Sequence, residues 1–218
     1  MEHDVIAFAV SALLVLFYYS YLRWKTRRQP HFTVHAMNAK VRQRWVEMIM
    51  SGDKKEILAV QTLRNSVMAA NFMASTAILL IIGILNLSEN PEKLMNAWQP
   101  FLVIANTSRE LSLIKLALLL LDFFIAFYCF SMAIRFFNHV GYMINLPPDS
   151  SVERLSPKQI GIYLNRAGTY YTFGTRAFFF SLPLILWFFG PYVLVLATLI
   201  LIVSLYSLDR APSPESET

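Results

Sequence analysis

Four long apolar runs, separated by polar segments, dominate the pattern of hydrophobic and polar positions along the chain. The runs cover Val5 to Leu22, Val67 to Leu87, Leu111 to Ile134 and Ala177 to Leu208. Each meets or approaches the roughly 20 residues that a helix needs to cross about 30 Å of hydrocarbon. Nothing alternates like the strands of a membrane barrel, and in lipid only helices satisfy their own backbone hydrogen bonds. The pattern therefore predicts four transmembrane helices, at about residues 5–22, 65–87, 113–135 and 177–208.

Polar segments beside these runs also carry helical patterns. Apolar residues at helical spacing between residues 36 and 50, among them Met37, Val41 and Trp45, predict an amphipathic helix lying on the membrane or on the protein. Asp53, followed three residues later by Glu56, has the form of an N-terminal capping box. We therefore expect the second membrane helix to start at Asp53 and to extend several turns into the cytoplasm.

The segment before the last apolar run contains the start of another helix. Ser156 suits a helix cap, and Pro157 suits the first helical position because it lacks an N–H group. This short cytoplasmic helix is expected to be interrupted by Gly168 and Gly174 before the last membrane helix begins.

A single transmembrane helical domain over residues 1–208 follows from these patterns. Pro183 and the pair Gly190-Pro191 predict a kink in its last helix. The remaining residues divide into two cytoplasmic segments and a disordered polar tail, at residues 23–64, 136–176 and 209–218. The predicted fold class is an all-α membrane protein with four transmembrane helices, the second of them extended into the cytoplasm, plus short amphipathic cytoplasmic helices.

Composition agrees with a membrane protein and gives it an orientation. Of the 218 residues, 56% are hydrophobic and only 15% are charged, whereas soluble domains average roughly 25% charged residues. Ten of the 19 Lys and Arg residues lie between Arg23 and Arg64, and five more lie between Arg135 and Arg176. The positive-inside rule places both basic segments in the cytoplasm. We therefore predict a multi-pass protein of the cell membrane with both termini on the non-cytoplasmic side.

The net charge of +5 reflects this topology, because the basic residues lie beside the membrane rather than on a soluble domain. Nucleic acid is therefore not an expected partner. Arg23, Lys25, Arg27 and Arg28 directly follow the first helix and are expected to contact anionic lipid headgroups of the bilayer. The chain is also expected to associate with further copies of itself as a homo-oligomer.

No motif of a known catalytic or cofactor site is present in the sequence. His31 and His35 have the spacing of two ligands on one helical turn, but no nearby Cys or carboxylate completes a metal site. An intramembrane enzyme needs an acid and a base in one cavity, and Asp122 and His139 lie about 25 Å apart along one helix. The sequence therefore predicts no catalytic residue, no metal and no cofactor, and it favours a protein that is not an enzyme.

Asp122 is the strongest single candidate for a functional residue. It lies about three turns from the outer end of the third predicted helix, close to the centre of the membrane. A carboxylate at that depth is costly unless it is protonated, paired with a cation or hydrogen-bonded. Depth counting places Ser11 and Thr76 near it. Two interpretations stay open, an interhelical hydrogen-bond anchor and an ion or proton site.

A polar stripe runs along the second predicted helix. Arg64, Asn71, Ser75 and Asn86 fall on one face at helical periodicity. Because lipid does not tolerate such a face, the stripe is expected to point at other helices, at a partner subunit or at a water-filled path. Its residues either hold helices together or line that path.

A second polar set is predicted at the inner membrane boundary. Its members are Arg64, Arg135, Asn138, His139, Asn165, Arg166 and Arg176. One hypothesis is a cationic cluster at the cytoplasmic mouth of the bundle, which would hold a phosphate, a lipid headgroup or a permeating anion. The alternative is ordinary positive-inside charge with salt bridges to Glu56, Asp149 and Glu153.

Three separated sequence blocks resemble one known family. They are Arg64-Asn65-Ser66-Val67-Met68-Ala69-Ala70 with Phe72-Met73-Ala74-Ser75-Thr76, then Arg135-Phe136-Phe137-Asn138-His139-Val140-Gly141-Tyr142, and Asn165-Arg166-Ala167-Gly168 with Gly174-Thr175-Arg176-Ala177-Phe178. With these blocks the chain resembles the domain of unknown function 599 family of small integral membrane proteins, over roughly residues 5 to 208. The resemblance implies a multi-helix membrane protein and carries no catalytic assignment.

Two main functional hypotheses follow. The first is a channel- or transporter-like protein with a polar path between its helices and a basic cytoplasmic mouth. The second is a non-catalytic accessory or assembly protein whose polar residues are structural. Under the first hypothesis the candidate ligand or path residues are Arg64, Asn71, Ser75, Asp122, Arg135, Asn138, His139, Asn165, Arg166 and Arg176.

Overall fold

The structure is a computed structural model that describes residues 2–29, 32–51, 56–89, 109–146 and 156–211. Within these residues the chain forms six α-helices and no β-strand. The helices are α1 (Glu2–Arg28), α2 (Val34–Met50), α3 (Glu56–Glu89), α4 (Arg109–Met143), α5 (Pro157–Leu186) and α6 (Pro191–Asp209). A turn of 3-10 helix, Trp187–Phe189, joins α5 to α6.

Five of these helices are long and apolar enough to cross a membrane. The spans are Glu2–Arg28, Ile57–Glu89, Arg109–Met143, Pro157–Phe189 and Pro191–Asp209. This arrangement indicates a multi-pass membrane protein. The prediction of four spans is therefore wrong by one, because the last apolar run contains parts of two helices instead of one.

The extra span arises at Gly190, where the chain reverses instead of kinking. Gly190 has φ 143°, a conformation that residues with a side chain rarely adopt. Pro191 then begins α6, where its missing N–H is harmless. The last apolar run is thus divided between the end of α5 and nearly all of α6. The predicted single helix over residues 177–208 is therefore wrong.

Helix α5 is one continuous helix where the sequence predicts a short cytoplasmic helix and a separate membrane helix. Ser156 caps it as predicted, with its side chain accepting a hydrogen bond from the Gln159 N–H. However, α5 continues through Gly168 and Gly174 without a break. Both glycines accommodate neighbouring side chains, because a Cβ at Gly174 would lie 2.8 Å from the Phe130 ring of α4. The expected interruption of this helix is therefore wrong.

Apart from α2, each helix packs chiefly on the next in a row with the order α3, α4, α5, α6, α1, and α1 also reaches α4 at one end. Helix α2, which matches the predicted amphipathic helix, packs across α5. Its buried residues Val46 and Ile49 join a cluster with Leu63 of α3, Phe137 of α4 and Leu164 of α5. We call this end of the bundle the α2 end and the opposite end, where α5 turns into α6, the Trp187 end.

Helices α1 and α6 run in the same direction. Ala7 of α1 packs with Trp187 and Leu194 at the Trp187 end. About three turns further along both helices, Tyr18 of α1 packs with Leu205 of α6 at the α2 end. The start of α1 and the end of α6 therefore lie at opposite ends of the bundle. The non-cytoplasmic side of both termini stays a prediction.

Two other predictions fall partly outside the described residues. The capping residue Asp53 lies outside them, and α3 is described from Glu56. In the tail predicted for residues 209–218, Asp209 still belongs to α6 and the Ala211 N–H donates to the Phe32 carbonyl at 3.0 Å. Residues 212–218 lie outside the described part of the chain.

Candidate functional site

A buried ion pair closes the Trp187 end of the bundle. Lys115 of α4 is 0% exposed, and its Nζ lies 3.1 Å from Oδ1 of Asp4 of α1. The same ammonium donates to the Trp187 carbonyl at 3.1 Å and lies 4.9 Å from the Trp187 ring centroid. Trp187 Nε1 in turn donates to Asp4 Oδ1 at 3.1 Å. This arrangement links α1, α4 and the turn between α5 and α6.

A second ion pair lies at the α2 end. Arg176 of α5 pairs with Asp209 at the end of α6. The Tyr18 hydroxyl of α1 donates to the other carboxylate oxygen of Asp209 at 2.7 Å, and the Arg176 guanidinium lies 5.3 Å from the Tyr19 ring centroid. Three helices are therefore joined here through one carboxylate.

Asp122 lies between these two ion pairs. From Lys115 to Asp122 the chain advances seven residues, which is about 10 Å and close to two full turns, so both side chains share one face of α4. From Asp4 to Ser11 α1 makes the same advance in the same direction. Because Asp4 and Lys115 are in contact, Ser11 and Asp122 lie at about the same depth in the bundle.

Neither group at this depth is satisfied. Asp122 Oδ2 and Ser11 Oγ are buried and have no hydrogen-bond partner among the described residues. Thr198 of α6, one turn beyond Leu194, is also buried, and its hydroxyl donates to the Leu194 carbonyl at 2.8 Å. We call Ser11, Asp122 and Thr198 the central polar layer.

The predicted partners of Asp122 do not bind it. Thr76 Oγ1 donates to the Phe72 carbonyl of its own helix at 2.9 Å. Ser11 is at the right depth, but it does not reach hydrogen-bond distance of the carboxylate. Ser11 therefore lies at the predicted depth, but the described residues contain no hydrogen bond between Ser11 and Asp122.

The polar stripe of the second predicted membrane helix does not face the interior. Arg64, Asn71, Ser75 and Asn86 are all exposed on α3. The buried face of α3 carries Ala70, Ala74, Ala77 and Ile81 instead, because α3 lies at the edge of the row and packs mainly on α4. Within one copy of the described chain, this stripe lines no internal path.

The predicted basic cluster at the inner boundary is divided in the structure. Arg64, Arg135, Asn138, His139 and Arg166 are exposed, and none makes a hydrogen bond or ion pair with another described residue. Arg176 binds Asp209 instead of a neighbour from the cluster. The predicted salt bridges fall outside the described residues, which do not include Asp149, Glu153 or the side chain of Glu56.

Asn165 is held by α2. Its Oδ1 accepts a hydrogen bond from Arg42 Nε at 2.8 Å, and its Nδ2 donates to the Ala39 carbonyl at 3.2 Å. The Arg42 guanidinium lies on Gly168, where a Cβ would come within 2.8 Å of it. Its NH2 group is buried without a partner in the described chain, and burial lowers the pKa of Arg42. Burial, followed by the charges of Arg42 and Arg176, also lowers the pKa of His35.

Two cavities open on α5 near the α2 end. The larger, of about 550 Å³, lies between the end of α1, the start of α2 and the middle of α5. The charged or titratable groups that line it are Tyr19, Arg23, Arg27, His35 and Arg176. The smaller, of about 480 Å³, is lined by Asn165 and Arg166 together with aromatic residues of α4 and α5. Thr169 and Phe173 line both cavities.

The sequence interpretation missed both ion pairs. Lys115, Asp4 and Asp209 are not among the site residues that the sequence predicts. A usable signal existed for Lys115, because it lies within an apolar helix with no other charged residue nearer than Glu110. An isolated charge in such a position is tolerated chiefly when an opposite charge from another helix reaches it.

Comparison with known proteins agrees with the resemblance seen in the sequence blocks. A family model described as "Protein of unknown function, DUF599" matches residues 6–214, nearly the whole chain. No curated protein and no solved structure matches the chain.

Proposed function

This chain belongs to the DUF599 family, and we propose that it is a transporter-like membrane protein that passes a proton or a small monovalent cation between its helices. The observation that carries this proposal is the buried, unpartnered Oδ2 of Asp122 at the level of the unpartnered Ser11 hydroxyl. The proposed route runs between α1, α4, α5 and α6. It replaces a route along the α3 stripe.

The chemistry of the central polar layer favours a small, singly charged species. One carboxyl and two hydroxyl groups are too few for a calcium ion, which takes six to eight oxygen ligands. A carboxyl without a cationic partner inside a membrane is a proton or ion site by default. The conformation described here has an ion pair on either side of this layer, Asp4 with Lys115 and Arg176 with Asp209. We take it as the state closed at both ends.

The orientation is part of the same proposal. We place the α2 end in the cytoplasm, because the basic residues from Arg23 to Arg44 and from Arg166 to Arg176 lie toward that end. With five spans, the start of α1 then lies outside the cytoplasm and the end of α6 lies inside it.

A second candidate is the accessory or assembly role, and the exposed polar stripe of α3 favours it. Asn71 and Ser75 lie within an apolar span and are exposed in a single copy. A partner helix would satisfy such groups in lipid. In this role the two ion pairs only hold helices together.

Proton flux into liposomes separates the two candidates. The purified protein is reconstituted with an internal pH-sensitive dye, and a pH step and a membrane potential are applied. We expect the wild type to dissipate the pH gradient and Asp122→Asn to leave it at the rate of empty liposomes, because an amide of the same shape cannot exchange a proton.

The matched control is Leu121→Ala, which changes an exposed residue beside Asp122. It should leave the flux intact. Sodium and potassium gradients are tested in the same preparation. If neither protons nor these cations move, or if Asp122→Asn moves them at the wild-type rate, the transport proposal is wrong and the accessory role remains.

A further inference from the structure

Four basic side chains at the end of α1 fall into two pairs with different surroundings. The Lys25 ammonium lies 4.0 Å from the Phe32 ring centroid and donates to the Tyr21 hydroxyl at 3.1 Å. The Arg28 guanidinium lies 4.3 Å from the Trp24 ring centroid. These two cations are therefore already engaged by aromatic groups.

Arg23 and Arg27 form the other pair and line the larger cavity. They are one helical turn apart and exposed, and neither pairs with a carboxylate of the described chain. Arg176 lines the same cavity from α5, where Asp209 neutralises part of its charge. Three guanidinium groups from two helices thus converge on one cavity that contains no acidic lining residue.

The other polar groups of the cavity restrict what it can hold. The hydroxyls of Thr26, Thr169 and Thr172 each donate to a carbonyl of their own helix at 2.8 Å, so they offer only acceptor positions. Thr33 Oγ1 accepts from the Ala36 N–H and keeps its own hydroxyl proton free to donate. The remaining donors are the guanidinium groups, the Thr33 and Tyr19 hydroxyls and the His35 ring, and such a set suits an anion with several acceptor oxygens.

The position and the walls of the cavity favour a lipid over a soluble anion. Arg23 and Arg27 lie where α1 leaves the apolar span, beside the aromatic residues Tyr21 and Trp24, which mark the headgroup level. Leu22 and Phe173 contribute apolar walls. A bound molecule with a phosphodiester at one end and an acyl chain at the other would match both parts of the cavity.

We infer that this cavity binds the phosphodiester headgroup of an anionic phospholipid through Arg23, Arg27 and Arg176. The inference does not depend on transport through the central polar layer. It names a specific site for what the sequence predicts only as general contact between the basic residues after the first helix and the bilayer.

The test compares two double variants that remove equal charge from the same turn of α1. Arg23→Gln/Arg27→Gln empties the cavity of its unpaired cations, whereas Lys25→Gln/Arg28→Gln removes the pair engaged by aromatic rings. Binding of a short-chain phosphatidylglycerol to the detergent-purified full chain is measured by native mass spectrometry, with phosphatidylcholine and inorganic phosphate as the other probes.

We expect the first double variant to bind phosphatidylglycerol at least about tenfold more weakly than the wild type, since each basic residue near an anionic lipid contributes about 1 kcal/mol. The second should lose less than about threefold. Equal losses in both variants would reduce the site to general surface charge. Inorganic phosphate bound as tightly as the lipid would identify a soluble anion instead, and both outcomes overturn the inference.

A third variant guards against a folding defect in the arginine variants. Thr172→Phe fills the cavity from α5 without changing any charge. If the cavity is the site, it should weaken phosphatidylglycerol binding while the protein elutes as a single folded species. Unchanged binding in a folded Thr172→Phe protein contradicts the inference.

Discussion

At the residue scale, the structure depends on side chains that approach backbones closely where glycine permits it. On α5, Gly161 lies under Gln43, Gly168 under Arg42 and Gly174 under the Phe130 ring. In lipid, helices associate through close packing and hydrogen bonds, because the surrounding acyl chains remove the hydrophobic driving force. Contacts of this kind therefore fix how α2 and α4 sit on α5.

Gly174→Ala tests this dependence. The added methyl group would lie 2.8–2.9 Å from three atoms of the Phe130 ring, and Phe130 is fully buried, so it has little room to move. We expect a loss of about 1–3 kcal/mol in the free energy of unfolding. Thermal unfolding of the purified protein in detergent measures this loss.

Gly83→Ala serves as the matched control, since it adds the same methyl group in a membrane span where nothing lies within 4 Å. Its stability should be unchanged or slightly higher, because alanine favours the helix. Similar losses at both glycines would attribute the effect to any added methyl group in a membrane span and not to the contact with Phe130.

At the scale of elements, α1 packs along α6 and makes polar contacts at two separate levels. One attachment is the Asp4 and Lys115 pair at the Trp187 end, and the other is the Tyr18 hydrogen bond to Asp209 at the α2 end. The middle of α1 contributes the unpartnered Ser11. Charged contacts therefore position α1 against the other helices while leaving the level of Asp122 unpaired.

Removing one partner of the buried pair should be more harmful than removing both. Asp4→Asn leaves the fully buried Lys115 ammonium without its carboxylate, and breaking a buried pair in this way costs roughly 3–5 kcal/mol. The double variant Asp4→Leu/Lys115→Met removes both charges and should recover most of that loss. Chemical denaturation of Asp4→Leu, Lys115→Met and the double variant gives the coupling energy directly.

Additive losses in that cycle would contradict a specific pair, because they would mean that each charge is stabilised by other groups. Glu2→Gln is the control, since Glu2 is an exposed acidic residue two positions before Asp4. It should leave stability within about 0.5 kcal/mol of the wild type.

At the scale of the whole molecule, the first and last described helix ends lie at opposite ends of the bundle. The reversal at Gly190 is responsible, because it returns α6 to the α2 end beside the start of α2, where Thr33 and Arg210 form a bridge. The row from α3 to α1 leaves the polar stripe of α3 at one edge. We propose that edge as the position of a partner helix under the accessory role.

Site-directed labelling checks this topology. In a Cys129→Ser background, which removes the single cysteine of the chain, cysteine is introduced at His3, Lys158 or Arg210, all exposed positions. With the proposed orientation, a membrane-impermeant maleimide should label only His3→Cys in intact cells. Lys158→Cys and Arg210→Cys should react only after permeabilisation, and labelling of His3 and Arg210 from the same face would contradict five spans.

Local patterns predicted the elements well and the site poorly. The Ser156 cap, the helix beyond residue 36 and the long helix ending near residue 89 follow from capping, periodicity and hydrophobic length, which depend on neighbours in sequence. The polar residues of α3 and α4 were recognised as unusual for the same reason. Which of them meet was not predictable, because the facing of a helix depends on its neighbours in space.

By itself, the amino-acid sequence determined that this protein is helical, apolar enough to span a membrane and a member of its family, since these properties follow from the composition and length of continuous segments. Only the tertiary structure decided that Gly190 reverses the chain, that Lys115 meets Asp4, and that Asp122 stays unpaired. Each of these outcomes depends on contacts between segments far apart in sequence. The free energy of a buried charge is set by such contacts and not by its neighbours along the chain.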